Sequence, residues 1–207
     1  MNVLFVGNSF TARNDVPALL ASLAEWAGER VTHDLIWAGG ASLKMHWNKG
    51  VAAERIATGA YDVVVLQEQS TLPVKNAKRF HENVRLFDEA VRASGARLAL
   101  YMTWARRHAP ETQRTLTDAY EAIGAELGAL VVPVGVAWER VLARPDAPSL
   151  YDTDGSHPSP AGSYLAACTF LAALLGKNPT GAPVHVRGLE PDAATLLQTT
   201  AWEAARG

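Results

Sequence analysis

Four short segments of this chain carry residue types that do acyl-transfer chemistry when they are brought together. Ser9 follows Gly7 at a distance of two, where a short apolar run stops. Asp154 and His157 stand at i and i+3 in Asp154-Gly155-Ser156-His157. A serine hydroxyl is a weak nucleophile until a base takes its proton, and histidine is the usual base near neutral pH. The imidazole must also be held in one tautomer, and a carboxylate that accepts its Nδ1–H does this while stabilising the imidazolium. The pair Gly39-Gly40 is a candidate source of backbone amides for a developing oxyanion, because glycine lets the backbone approach a substrate closely. Gln67 and Gln69, two apart in an extended segment, point to the same side and could donate from their side-chain amides. Each segment alone has a plainer reading: serines cap turns, Asp makes local Asx bonds, double glycines end strands and glutamines satisfy loop backbone.

The elements that must position these residues can be read from hydrophobic pattern. Val3–Val6, Val31–Trp37, Asp62–Leu66, Arg97–Met102 and Leu130–Val134 are short, β-rich apolar runs, predicted as strands. Helices are predicted between them: one from Asn14 or Asp15 with Pro17 in its first turn, a short one over Gly50–Thr58, and longer ones over Lys75–Ser94 and Pro110–Leu127. A short helix over Val136–Ala143 follows the fifth strand, then an irregular Pro/Asp/Ser/Gly segment from Pro145 to Pro158. Ser159 and Pro160 have the pattern of an N-cap and first helical residue ahead of the apolar body Tyr164–Leu175. Alternating strands and helices of this kind predict an α/β fold with a parallel sheet covered on both faces. Ligands of such sheets bind at the carboxyl ends of the strands. Ser9, Gly40, Gln67 or Gln69, and the Asp154–His157 turn follow strands one, two, three and five, so all are expected at that edge.

The length of 207 residues suits one domain with a real core, and no linker divides it; the last helix, about 190–205, is expected at the periphery. Apolar residues make up 48% and charged residues 19%, and the net charge of −2 gives no case for nucleic acid or an anionic membrane as partner. Cys168 is the single cysteine, which excludes an intrachain disulfide and reads as a packed core thiol. The longest apolar stretch, Tyr164–Leu175, is too short to span a bilayer, and no basic segment precedes the first strand, so the expected location is cytoplasmic. The six histidines show no metal-ligand spacing. His46, Trp47 and His108 fall in expected loops that could border the cleft, Trp104 ends the fourth strand and could line an acyl or sugar pocket, and His33 and His81 have no evident partners.

With these residues in view, the chain resembles the SGNH (GDSL-like) hydrolases over Val3 to about Leu175. Gly7-Asn8-Ser9-Phe10-Thr11 is similar to the family's first block, Gly40 falls at the second-block glycine, and Asp154-Gly155-Ser156-His157 matches the last block, DxxH. The resemblance implies a three-layer α/β/α sandwich with a flavodoxin-like sheet in the order 2-1-3-4-5. It implies Ser9 as nucleophile, His157 as base, Asp154 as its orienter, the amides of Ser9 and Gly40 in the oxyanion hole, and no metal or other cofactor. Asn8 stands where the family often has Asp, a position without a catalytic role. The third block departs further. Leu66-Gln67-Glu68-Gln69-Ser70 replaces Gly-x-Asn-Asp, as in a branch of the family, grouped as a domain of unknown function, in which Leu-Gln follows this strand. That likeness implies a glutamine in the asparagine's place; Gln67 is preferred because it is nearer the strand end, with Gln69 as the alternative.

The expected function is therefore hydrolysis of small acyl esters, with O-acetyl groups on carbohydrates as a natural case. Two other classes fit parts of the pattern: a non-catalytic SGNH-like domain that binds glycans or protein through the same cleft, and a flavodoxin-like flavin-binding module. The loop after the first strand lacks the Ser/Thr/Gly-rich phosphate cradle that the flavin reading needs. Oligomeric state has no signature in the sequence.

Overall fold

The computed structural model describes residues 1–184 and 186–207. Among them, five strands form one parallel sheet in the order β2-β1-β3-β4-β5: β1 (Asn2–Gly7), β2 (Thr32–Trp37), β3 (Val63–Leu66), β4 (Arg97–Tyr101) and β5 (Leu130–Val132). This is the sheet and strand order expected from the sequence. Val3–Val6 and Val63–Leu66 are buried on both faces, which is why these strands read as unbroken apolar runs rather than alternating ones.

One face of the sheet carries Val3, Phe5, Val63, Val65, Tyr101 and Val132 into a core shared with α2 (Val16–Trp26), α8 (Val134–Leu142), α9 (Pro160–Leu175) and α10 (Pro191–Ala204). The other carries Leu4, Val6, Val64, Leu66 and Leu100 against α3 (Leu43–Lys49), α4 (Val51–Ala57), α6 (Ala77–Ser94) and α7 (Gln113–Leu127). Alternate residues along each strand thus face opposite helical layers, as the pleat requires.

Several local readings need correction. The segment after Ser9 is not a plain turn but a four-residue helix, α1 (Ser9–Ala12), followed by a 3-10 turn (Arg13–Asp15). Of the two candidate caps, Asp15 caps α2, accepting from the Ala18 amide at 3.2 Å. His46 and Trp47 lie in α3 rather than in a loop; Ser42 caps it, its hydroxyl accepting from the Met45 amide. A short α5 (Leu72–Lys75) precedes α6, which begins at Ala77 under an Asn76 cap. The last helix is not peripheral. Ala194, Leu197 and Ala201 are fully buried in the first core, and Gln198 donates to the Tyr164 hydroxyl at 2.7 Å.

α9 is apolar all round because it is covered on nearly every side. Its first turn comes so close to α8 that a Cβ at Gly162 would meet the Leu150 carbonyl oxygen at 2.3 Å and the Trp138 ring at 2.4 Å. Gly162→Ala should therefore destabilise by about 1–3 kcal/mol through overpacking. Thermal and urea unfolding of the variant check this; an unchanged midpoint would show that the helix can back away freely.

Candidate active site

Register fixes the level at which the chemistry stands. Val6 pairs with Ile36 on one side and Leu66 on the other, and Leu66 pairs with Leu100. The residues that follow these strands therefore leave the sheet side by side at its carboxyl edge. Ser9 is the first residue of α1, directly beyond β1, and is half-buried.

The turn at β1 is built from buried polar contacts. Asn8 caps α1, its Oδ1 accepting from the Phe10 amide at 3.0 Å, while its Nδ2 donates to the Ala41 carbonyl at 3.0 Å. That second bond ties the serine turn to the glycine loop beyond β2, and it needs an amide, since a carboxylate there would have no proton to donate. Gln67 Oε1 accepts from the Asn8 amide at 2.9 Å and from the Thr11 hydroxyl at 3.0 Å. A side chain at position 7 has no room, because a Cβ there would stand 2.7 Å from Gln67 Oε1 and from Thr11 Oγ1. His46 Nε2 donates to the Gly7 carbonyl at 2.7 Å; burial pulls its pKa down, which keeps the ring neutral.

The Asp154–His157 turn comes back over this edge from the far side of the sheet. An antiparallel bridge between Tyr151 and Pro158 closes it at its base, and Gly155 takes φ = +66°. Asp154 Oδ1 accepts from the amides of Ser156 and His157, both at 2.9 Å, and its Oδ2 lies 2.5 Å from His157 Nδ1. The hydrogen bond to His157 is the main reason the Asp154 carboxyl is held far below the usual carboxylate range. With the Nδ1 proton directed to Asp154, Nε2 presents its lone pair, 2.8 Å from Ser9 Oγ. Ser9, His157 and Asp154, separated by about two-thirds of the chain, thus form one continuous hydrogen-bonded relay.

Several residues hold that relay that the sequence reading did not single out. Arg13 pairs with Asp152, and Asn14 Nδ2 donates to the Pro158 carbonyl and to Ser163 Oγ, clamping the two halves together. Asn14 and Asp15 both adopt left-handed backbone (φ 54° and 52°), which non-glycine residues hold only where surroundings impose it. Adjacent Asn and Asp, the types that best tolerate this region, were the available signal. Arg107 donates its amide to the Gly155 carbonyl at 2.9 Å. Phe10 lies 5.2 Å from the His157 ring and stacks on Trp104 at 5.0 Å.

The remaining candidates divide. No hydrogen bond within the described residues uses the Ser9 or Gly40 amide, and a Cβ at Gly40 (φ +65°) would meet open space. Gln67 is 1% exposed, and its Nε2 donates to the Glu68 backbone carbonyl, so it presents no donor to the cleft. Gln69 is half-buried; its Oε1 accepts from the Thr71 amide and hydroxyl, and its NH2 group has no partner within the described residues. Trp104 is 1% exposed, stacked on Trp138 at 3.9 Å, and its indole N–H donates to the Ser156 carbonyl. It holds the turn that carries His157 and also lines a cavity on the loop after β4. His46, spent on Gly7, does not border the cleft. His108 is exposed on the loop after β4 and lines a cavity there.

Among the described residues, no group of three or more His, Cys, Asp or Glu side chains is placed to hold a metal ion, and no helix is long and apolar enough to cross a membrane.

A three-layer α/β/α protein with a Ser-His-Asp relay at the carboxyl edge defines a serine hydrolase architecture. Comparison with solved structures agrees. The chain is 30% identical to a protein classed as an SGNH hydrolase from Slackia heliotrinireducens, covering 84% of this chain and 98% of that one, with a TM-score of 0.73. It matches a DUF4886 family protein from Bacteroides uniformis with a TM-score of 0.86 over 99% of this chain and 94% of the other, at 21% identity. A lipase/acylhydrolase from Enterococcus faecalis shares the fold at 17% identity, with a TM-score of 0.65 over 84% of this chain and 95% of that one. No protein-family model matches the chain, and no curated protein does. This protein belongs to the SGNH hydrolase family.

Glu68 is a buried carboxyl at this edge. It is fully buried and forms no ion pair among the described residues; its carboxylate accepts from the Leu43 amide at 3.0 Å, the Gln69 amide at 2.7 Å and Asn83 Nδ2 at 2.8 Å. Burial raises its pKa despite these three bonds, each of which pulls it down. A carboxyl whose folded-state pKa is raised stabilises the fold fully below its ordinary value and loses that contribution as pH rises through the folded value. Glu68→Gln should therefore gain stability relative to wild type as pH is taken from about 4.5 to 8. Urea unfolding of both proteins across that range checks it; a difference that stays constant with pH would show that Glu68 does not titrate there.

Proposed function

We propose that this protein is a serine esterase acting on small acyl esters, with O-acetyl groups on carbohydrates as a natural case, and that residues 1–207 act as one catalytic domain. The observation that carries the reading is the relay Ser9 Oγ–His157 Nε2–His157 Nδ1–Asp154 Oδ2, with spacings of 2.8 and 2.5 Å. The esterase character is also supported by the E. faecalis neighbour, named a lipase/acylhydrolase.

In this reading Ser9 Oγ attacks the acyl carbon while its proton passes to His157 Nε2. Asp154 stabilises the imidazolium through Nδ1. The carbonyl oxygen, now negative, is met by the amides of Ser9 and Gly40, neither of which has an internal partner. A side-chain amide completes the set, and Gln69 supplies it, because Gln67 is buried and its Nε2 donates to the Glu68 carbonyl. His157 then gives its proton to the departing alcohol oxygen. A water molecule, deprotonated by the same nitrogen, attacks the acyl-serine carbonyl, and the acid leaves with Ser9 regenerated. Gln67 acts one layer behind: it holds the Asn8 amide and Thr11 hydroxyl and so orients the turn on which Ser9 stands.

Wild type should hydrolyse 4-nitrophenyl acetate and be labelled at Ser9 by a fluorophosphonate, and Ser9→Ala should lose both. Equal hydrolysis by the two proteins at matched purity would end the serine-esterase reading. Gln69→Ala should lower kcat by roughly 10²–10³ with little change in KM, the cost of one oxyanion donor. A loss under threefold would leave the oxyanion to the backbone amides alone.

A further inference from the structure

At the same carboxyl edge as the relay, a cavity of about 220 Å³ opens between the segment after β3 and the loop after β4. Its lining includes Ser70, Lys75, Trp104, Arg106, His108 and Thr112, and no carboxylate. Lys75, Arg106 and His108 are cations or can become so, and among the described residues none of them forms an ion pair. The Arg106 Nε atom is buried without a hydrogen-bond partner. That nitrogen is closed off from solvent, so the charge offered to the cavity is carried by the rest of the half-buried guanidinium. The nearest acid in sequence, Glu111, is exposed and outside the lining.

The loop that carries Arg106 is held on both sides. The Ala105 amide donates to Gln113 Oε1 at 2.8 Å, its carbonyl accepts from the Tyr151 hydroxyl at 2.7 Å, and the Arg107 amide reaches the Gly155 carbonyl. Trp104 lines the cavity and, through its bond to the Ser156 carbonyl and its stack with Phe10, also touches the two neighbours of the His157 ring. The backbone that carries Arg106 is therefore held in place, beside a space that admits only a small group.

We propose that this cavity is an anion subsite, so that the preferred ester carries a carboxylate, or another small anionic group, within a few bond lengths of the scissile bond. The proposal rests on the esterase reading above and narrows its substrate class. Lys75 and Arg106 supply the charge, with Ser70 and Thr112 as hydroxyl donors. Arg106 presents the planar fork that suits a carboxylate or an oxyanion of similar geometry.

The experiment compares kcat/KM for charged and neutral probes in pairs. Mono-4-nitrophenyl adipate against 4-nitrophenyl hexanoate puts the charge in the acyl part; 4-acetoxybenzoate against its methyl ester puts it in the alcohol. In at least one pair the charged probe should be favoured by roughly tenfold at low salt. The ratio should fall toward one in Lys75→Gln/Arg106→Gln and as added salt screens the site. The pair that responds says which part of the ester enters the cavity. Ratios near one in both pairs, or a ratio indifferent to both substitutions and salt, overturn the proposal. Lys75 is exposed, so Lys75→Gln alone serves if the double variant does not fold. If wild type and Ser9→Ala hydrolyse 4-nitrophenyl acetate equally, the esterase reading has failed separately. Calorimetric binding of adipate and 4-hydroxybenzoate then decides the subsite: saturable binding weakened by Lys75→Gln supports it, and no binding overturns it.

Discussion

Everything at the carboxyl edge depends on how one buried glutamine satisfies the end of the first strand. Where β1 leaves the sheet, its next amide, on Asn8, has no strand partner, and burial makes an unpaired amide costly. Gln67 Oε1 takes that amide and the Thr11 hydroxyl together, and only glycine at position 7 leaves room for it. Asn8, so fixed, caps the helix that starts at Ser9 and reaches across to Ala41. One side chain thereby sets the orientation of the serine and the position of the glycine loop.

This gives a physical account of a family member without the third-block asparagine. A glutamine at the strand end is one methylene longer than asparagine, and here it uses that reach to brace the neighbouring strand. The adjacent Glu68 does the same for the loop after β2, through the Leu43 amide, and for α6, through Asn83. The segment Gln67-Glu68-Gln69 is thus two braces followed by one half-buried amide with free protons. The chain spends buried polar groups, which are costly to desolvate, where the alternative is a loose turn beneath Ser9.

The strands and the edge they share were legible because a parallel sheet buried on both faces writes itself as unbroken apolar runs, as at Val63–Leu66. The Asp154–His157 pair was legible because its geometry is local: an Asx-type turn brings both side chains together whatever the rest of the chain does. Gln67 misled for the opposite reason. Its partners, Asn8 and Thr11, are 59 and 56 positions away, and nothing in its own neighbourhood says that its carbonyl is spoken for. Trp104 lines a cavity at its strand end, but its stacking on Phe10 and Trp138, far off in sequence, could not be read from its neighbourhood. The last helix reads as weakly amphipathic, and its burial depends on a groove between α8 and α9 that only the assembled fold provides.

The stack of Phe10, Trp104 and Trp138 has an optical consequence. Two indoles lie 3.9 Å apart with planes within 3° of parallel, both shielded from water, while Trp26 and Trp37 are exposed. Transition dipoles at that separation couple strongly, and rings kept dry emit at shorter wavelengths than rings in water. The near-ultraviolet circular dichroism of this protein should therefore be dominated by a pair that also anchors the turn carrying His157, through the bond from Trp104 to the Ser156 carbonyl. The molecule carries its own spectroscopic gauge of whether the two halves of its relay are in register.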